Sequence, residues 1–247
     1  MKPRKILIAQ PNPANNHSPF FDLEKKHNLK FAFKPFVSLE GQVVKNIRLQ
    51  KINIQKHSSI ILTSRHAIDH YFRICDQMRI TVPNSLKYFC ISEAVSYYLQ
   101  KYIAYRKRKI YSANNSFSEL VELMSKNESE NFLLVSSDYV SKDNIQLLED
   151  SKLSYKRGIF FKIVPNNLLK LKFSPYSMLV FYSPRDVESL FSNFPEFSQG
   201  SIKVAVFGEA TYQMAVSNNL NIDIKAPSDK FPSLSMALDS YFKLLKS

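Results

Sequence analysis

Two stretches of the chain repeat one pattern of apolar and polar residues. Residues 62–72 (LTSRHAIDHYF) and 181–191 (FYSPRDVESLF) both pass from an apolar run through a serine into residues at helical spacing. Each is followed, after a second apolar run, by a Glu-Ala pair, in Ser92–Ala94 and in Gly208–Ala210. Coincidence is the alternative, because any two α/β units share apolar patterning. The matched polar residues at matched strand ends favour duplication, and thus two similar α/β units.

Short apolar runs alternate with segments of helical periodicity along the whole chain, which indicates α/β units with parallel sheets. Strands are predicted at residues 5–9, 30–36, 59–63, 87–91, 131–135, 158–164, 178–182, 204–207 and 222–225. Helices are predicted at residues 19–27, 68–78, up to about 102, 117–124, 143–150, 184–194, after 207, and over 234–245. Residues 37–41 have the character of a connection, and Ser116 with Glu119 predicts a capping box.

Composition excludes several classes of protein. The chain has 247 residues, 45% of them hydrophobic, which is too apolar for a disordered protein. No run of about 18 apolar residues predicts a membrane-spanning helix. Only two cysteines are present, so a disulfide framework is excluded and a reducing cytoplasm is expected. The formal net charge of +13 must face solvent, an anionic ligand or a nucleic acid.

The turns between predicted strands and helices are the first candidates for a binding site. In open parallel sheets, ligands bind beyond the carboxyl ends of the strands, where helix N-termini present free N–H groups. Ser64, Ser92, Ser183 and Gly208–Thr211 all lie at such turns. If the two units face each other, these turns would line one cleft suited to several carboxylates or phosphates. The alternative is that each serine only caps its own helix.

Other motifs point to no cofactor and no metal. Neither a Gly-x-Gly-x-x-Gly sequence nor a P-loop is present among only four glycines, so a nucleotide cofactor is not expected. His66 and His70 have metal-ligand spacing but lack an evident third ligand, which favours a plain helix surface. The basic cluster of residues 101–109 is interleaved with Tyr102 and Tyr105. We interpret this cluster as solvated, with nucleic-acid binding as the alternative.

Several segments in a fixed order resemble a known family. They are residues 61–64 (ILTS), 133–135 (LLV), 160–165 (FFKIVP), 180–184 (VFYSP) and 204–211 (VAVFGEAT), followed by 226–228 (APS). Together they resemble the uroporphyrinogen-III synthase family, in the form found in Bacteroidetes-type bacteria, and the resemblance spans nearly the whole chain.

The resemblance implies a specific architecture. The fold would be α/β, with two flavodoxin-like three-layer lobes that have parallel sheets and are joined by a two-stranded linker. The first lobe would comprise residues 1–37 and 168–247, and the second, inserted lobe would comprise residues 40–158. Residues 37–40 and 160–167 would be the linker strands.

The resemblance also implies a reaction. Linear hydroxymethylbilane would lose water to give an electrophilic azafulvene, and would close through a spiro intermediate to uroporphyrinogen III with ring D inverted. This step in haem biosynthesis needs no cofactor and no metal. The implied protein is a cytoplasmic monomer whose partner is this small-molecule substrate, without nucleic acid or membrane. A direct handover of the substrate from hydroxymethylbilane synthase is left open.

The resemblance finally implies the residues of the site. Thr211 matches the family's substrate-contacting threonine and is predicted to be catalytic, together with Tyr182. The family's cleft tyrosine aligns with Phe161, which cannot donate a proton, so Tyr182 or a bound water would take over, or the tyrosine is not essential. Residues predicted to bind substrate lie at the strand-to-helix turns: Thr63, Ser64, Arg65, Ser92, Ser136, Ser137, Ser183, Pro184, Arg185, Gly208, Glu209 and Ala210. A non-catalytic relative that binds an anionic ligand is the main alternative function.

Overall fold

The structure, a computed structural model, describes residues 3–13 and 18–245. The chain divides into two compact units. The discontinuous unit comprises Met1–Ser38 and Val164–Ser247, and the inserted unit comprises Leu39–Ile163. No helix in the described part of the chain is long and apolar enough to cross a membrane.

Strands and helices alternate along the chain. The strands are β1 Arg4–Ile8, β2 Leu29–Phe33, β3 Val37–Gly41, β4 Ser59–Leu62, β5 Lys87–Cys90, β6 Ile110–Ser112, β7 Phe132–Ser137, β8 Tyr155–Pro165, β9 Tyr176–Phe181, β10 Lys203–Phe207 and β11 Ile224–Ala226. The α-helices are α1 Pro19–His27, α2 Val44–Leu49, α3 Arg65–Gln77, α4 Glu93–Tyr98, α5 Phe117–Ser125, α6 Lys142–Asp150, α7 Pro184–Asn193, α8 Glu209–Ser217 and α9 Leu234–Leu244. Short 3-10 helices occupy Ile54–Lys56, Leu99–Lys101 and Lys107–Lys109.

The discontinuous unit has one five-stranded sheet in the order β11-β10-β9-β1-β2. All of its neighbouring strands pair in parallel. Apolar side chains of α1 and α9 pack on one face of this sheet, and those of α7 and α8 pack on the other. The central strands read as continuous apolar runs because both of their faces are buried.

The inserted unit has a six-stranded sheet in the order β3-β8-β7-β4-β5-β6. The strands from β8 to β6 pair in parallel. Helices α3 and α4 cover one face, and α5 and α6 cover the other. Both cysteines, Cys75 and Cys90, are buried free thiols in this unit.

The structure differs from the sequence-based expectations in three local features. Residues 37–41, expected to be a connection, form β3 at the edge of the sheet. Helix α2 and strand β6 are both short and were not predicted. Ser116 does cap α5 by accepting from the Glu119 N–H at 3.3 Å, but the Glu119 carboxylate accepts from the Asn114 N–H and not from Ser116, so the capping box is not closed.

Candidate functional site

A cleft of about 600 Å³ opens in the inserted unit at the carboxyl ends of β4, β7 and β8. This is the end of a parallel sheet at which ligands bind. The lining is mostly hydroxyl, amide and apolar groups: Leu39, Thr63, Ser64, His66, Ile91, Asn115, Phe117, Leu134, Ser136, Ser137, Tyr139, Val140, Ser141, Asn144 and Phe161. The cleft thus brings together Thr63, Ser64, Ser136 and Ser137, which the sequence predicted to bind substrate.

The starts of three helices border this cleft, since α3 follows β4, α5 follows β6 and α6 follows β7. Ser64 caps α3 by accepting from the Ala67 N–H at 3.1 Å, and Ser141 caps α6 by accepting from the Asn144 N–H at 3.3 Å. Each serine hydroxyl accepts from the third N–H of its helix, so the first two N–H groups remain to bind a ligand. No Asp, Glu, Lys or Arg is found among the described lining residues, and the helix N-termini contribute positive potential at the cleft.

Ser136 and Ser137 shape the floor of the cleft through their own hydrogen bonds. The Ser136 hydroxyl donates to the Ser137 carbonyl at 2.9 Å, and the Ser137 hydroxyl donates to the Tyr139 carbonyl at 2.7 Å. The Arg157 guanidinium donates to the Ser136 hydroxyl at 3.0 Å and to the Asp138 carbonyl at 2.9 Å. Arg157 therefore fixes this turn, a role that sequence reasoning missed because it depends on the register of β7 and β8.

In the discontinuous unit, the start of α7 is already occupied by a carboxylate. Asp186 accepts from the Ser183 N–H at 2.9 Å and the Tyr182 N–H at 3.1 Å, while the Ser183 hydroxyl accepts from the Asp186 N–H. Burial raises the pKa of Asp186, against the hydrogen bond from Ser183 and those from the backbone. Pro184 has no N–H, so this helix start offers an anion little.

The start of α8 differs, because Gly208 replaces a capping side chain. Gly208 adopts φ 86° and ψ 151°, a conformation nearly restricted to glycine. The N–H groups of Glu209 and Ala210 have no acceptor within the described part of the chain. Thr211 is only 2% exposed, and its hydroxyl makes no hydrogen bond to a described residue. A hydroxyl in this position is available to a ligand.

The match to a family model decides which family this architecture belongs to. The model for "Uroporphyrinogen-III synthase HemD" matches residues 27–235. The chain belongs to the uroporphyrinogen-III synthase family. The family resemblance and the α/β fold expected from the sequence are thereby confirmed.

Solved structures of the synthase family share this fold at low sequence identity. The uroporphyrinogen-III synthetase of Helicobacter pylori aligns with a TM-score of 0.60 and 14% identity, over 98% of this chain and 99% of that one. A mutant uroporphyrinogen III synthase of Thermus thermophilus aligns with a TM-score of 0.55 and 11% identity, over 98% and 99% of the two chains. No curated protein sequence matches the chain.

Phe161, which the sequence resemblance matched to a cleft tyrosine of the family, lies in the wall of the cleft. Its ring stacks on the His70 imidazole with centroids 4.9 Å apart. Burial, followed by the neighbouring Arg73, lowers the pKa of His70, so its ring is neutral at pH 7. Among the described lining residues, the His66 imidazole and the Tyr139 phenol carry an N–H or O–H that a ligand could reach. Sequence reasoning did not select either residue for the site.

The remaining predicted residues lie outside the lining of this cleft. Ser92 caps α4, and the guanidinium of Arg65 lies 5.5 Å from the Tyr98 ring centroid. Arg185 pairs with Glu188 at 2.8 Å, and exposed Glu209 pairs with Lys225. Burial raises the pKa of Tyr182 to about 12, so its phenol stays protonated at neutral pH.

Asn115, Ser141 and Asn144 also line the cleft but were not predicted. The signals in the sequence were local: a polar Asn-Asn-Ser run before α5, and a serine three residues ahead of Asn144 at the start of α6. Among the described residues, no cluster of His, Cys, Asp and Glu could hold a metal ion.

Proposed function

We propose that the protein is a uroporphyrinogen-III synthase, which closes hydroxymethylbilane to uroporphyrinogen III with inversion of ring D and loss of water. Membership of the synthase family supports this activity. The observation that carries it is the cleft of the inserted unit, which is bordered by helix starts and has no acidic side chain among its described lining residues. The predicted monomeric state, cytoplasmic location and handover of substrate remain predictions.

The chemistry of the substrate fits these groups. Hydroxymethylbilane is a flexible chain of four pyrrole rings, each with an acetate and a propionate arm. Backbone N–H groups at helix starts bind carboxylates without the entropy cost of ordering a long side chain. In the inserted unit the starts of α3 and α6 offer such groups, and in the discontinuous unit the start of α8 offers them together with the Thr211 hydroxyl. Holding the chain folded favours ring closure over free rotation.

Departure of the terminal hydroxyl needs a proton. Phe161 has none to give, so we assign this step to Tyr182, whose phenol is protonated at neutral pH. Loss of the hydroxyl generates the azafulvene, and ring D then attacks through its substituted carbon. No redox partner or metal is required for either step.

The product isomer tests the proposal. Enzymatically generated hydroxymethylbilane is supplied to the protein, the products are oxidised, and the porphyrin isomers are resolved. We expect the type III isomer to dominate, whereas a reaction without protein gives the type I isomer by spontaneous closure. If the complete reaction also gives only type I, the protein is not a synthase.

A pair of substitutions tests the proton donor. Tyr182→Phe is expected to lower the rate of type III formation by at least about tenfold, because general acid catalysis contributes factors of this size or larger. Phe161→Tyr, made separately in the parent protein, is expected to raise the rate, since it places a phenol in the cleft wall. Unchanged turnover in Tyr182→Phe would remove Tyr182 from the mechanism.

The second candidate function is that of a non-catalytic relative that binds an anionic tetrapyrrole. Phe161 in the cleft wall is the observation that favours it. Saturable binding of uroporphyrin, combined with exclusive formation of the type I isomer, would support this alternative.

Nucleic-acid binding through residues 101–109 is a third possibility, and its affinity would depend steeply on salt concentration. Lys101 is a poor candidate for that role, because its ammonium pairs with Asp69 at 2.9 Å.

A further inference from the structure

A second cavity of the inserted unit lies at the opposite end of its sheet from the cleft. Its volume is about 320 Å³, within the range of small-ligand pockets, and it opens near the amino-terminal ends of β5 and β6. The helix starts that border the cleft do not reach it, and none of its lining residues is shared with the cleft. The cavity is therefore unrelated to the groups assigned to the proposed synthase.

Two aromatic side chains, Phe72 and Tyr102, contribute to the lining of this cavity. The rings of Phe72 and Tyr102 stack with centroids 4.5 Å apart and an interplanar angle of 2°. The Tyr102 hydroxyl donates to the Asp69 carboxylate, which holds the ring in place. A rigid aromatic pair favours a planar, apolar partner, because ring stacking adds to the free energy of burial.

The cavity also contains a polar group without a partner. Tyr88 on β5 is 3% exposed, yet its hydroxyl makes no hydrogen bond to a described residue. That hydroxyl is not among the fully enclosed unsatisfied atoms of the described residues, so it keeps access to the cavity that Tyr88 lines. Burial raises the pKa of Tyr88, and its phenol remains a donor at neutral pH.

The charged residues of the lining are all basic. Arg106 and Lys109 contribute to the cavity, and no Asp or Glu is found among its described lining residues. The Lys109 ammonium donates to the Asn84 carbonyl at 2.9 Å, whereas no acidic side chain of the described residues pairs with Arg106. An unpaired guanidinium beside an apolar pocket matches one anionic group on the ligand.

We propose that this cavity binds a small planar aromatic carboxylate, with the ring against Phe72 and Tyr102, the carboxylate on Arg106, and the Tyr88 hydroxyl as a further donor. The proposal does not depend on the synthase activity, since it uses none of the residues assigned to that reaction. It adds a second ligand site to the inserted unit.

Calorimetric titration with 2-naphthoate tests the site, with neutral 2-naphthalenemethanol as the matched probe. We expect one molecule of naphthoate to bind per chain, at least about tenfold more tightly than the alcohol. Arg106→Gln should abolish that preference, and Tyr88→Phe should weaken naphthoate about three- to tenfold, as expected for one hydrogen bond. Lys107→Gln, in the same basic segment but outside the lining, should leave the affinity unchanged.

Two outcomes would overturn the proposal. One is the absence of saturable naphthoate binding by the unmodified protein, and the other is an affinity that Arg106→Gln leaves unchanged. Arg106 is exposed, so its replacement does not disturb the core, and this variant decides the question even if Tyr88→Phe is poorly folded. Both outcomes are measured as naphthoate binding, so they do not depend on whether the protein forms the type III isomer.

Discussion

The two units share five strands in the same order, but they differ in the strand at which the chain enters, and the inserted unit adds β3 at one edge. Matching β4, β5, β6, β7 and β8 of the inserted unit with β9, β10, β11, β1 and β2 of the discontinuous unit superimposes both strand orders. The helices correspond as well, since α3 and α4 cover the face equivalent to that of α7 and α8. One unit is thus a circular permutation of the other, and the repeated sequence segments lie at equivalent turns.

The equivalent turns have diverged in chemistry. Ser64 borders a cleft, whereas its counterpart Ser183 begins a helix whose N–H groups bind the chain's own Asp186. Ser92 caps α4 through its hydroxyl, whereas its counterpart Gly208 leaves the start of α8 open. A shared backbone therefore does not imply a shared ligand site, and exchanging residues between equivalent turns measures what each one contributes.

Thr211→Val should give the largest effect, because it converts the turn of α8 into the kind found in α4, where Val95 holds the equivalent place. The hydroxyl is lost with little change in shape. We expect kcat/KM for type III formation to fall about 10- to 100-fold, the size of a hydrogen bond to a charged group.

Thr211→Ser and Val95→Thr are the matched controls. Thr211→Ser keeps the hydroxyl and should retain most of the activity, and Val95→Thr should stay within about twofold of the parent. If Thr211→Val is as active as Thr211→Ser, the open start of α8 has no role in the reaction.

A reciprocal exchange at Gly208 and Ser92 compares the two backbones. Gly208→Ser should lower the free energy of unfolding by about 1–3 kcal/mol, because φ 86° is strained for any residue with a Cβ. Steric contact adds little, since the nearest atom to that Cβ would be Thr211 Oγ1 at 4.0 Å. Ser92→Gly, at an extended φ of −155°, should cost only a few tenths of a kcal/mol. Denaturant unfolding measures both, and equal losses would contradict this difference.

The strands and helices of the core could be predicted from sequence because their apolar periodicity is strong. A strand at residues 37–40 was expected only from the family resemblance and not from periodicity, since the residues of β3 are mostly exposed and its place depends on pairing with β8, more than 100 residues away. Of the two serines that cap helices at the cleft, Ser64 was predicted from its position before a helix and Ser141 was not. Asp186 and Arg157 were missed, because their roles come from competition for N–H groups and from strand register.

Helices α1 and α9 of the discontinuous unit and the equivalent helices α6 and α5 of the inserted unit differ in charge. This difference predicts a small, pH-dependent effect on stability. Asp239 on α9 accepts hydrogen bonds from Lys26 at 2.8 Å and Lys243 at 3.0 Å, and lies 2.6 Å from the His27 ring. The hydrogen bond to His27, followed by that to Lys26, lowers the pKa of Asp239 well below its usual value. The equivalent pair of α5 and α6 shows no ion pair between its described residues, and packs through apolar side chains.

Asp239→Asn should therefore lower the free energy of unfolding by roughly 1 kcal/mol at pH 7, or the melting temperature by about 2–4 °C. Because the folded-state pKa is depressed, this contribution is complete above the unfolded pKa near 3.8 and is lost as the pH falls below it. The difference between parent and variant should accordingly stay constant from pH 7 to about pH 4 and shrink as melting is measured from pH 4 down to pH 2. Asp150→Asn on α6, which removes only an exposed contact with Gln146, should shift the melting temperature by less at every pH. A difference that does not shrink between pH 4 and pH 2 would show that packing between α1 and α9, and not charge, stabilises this face of the discontinuous unit.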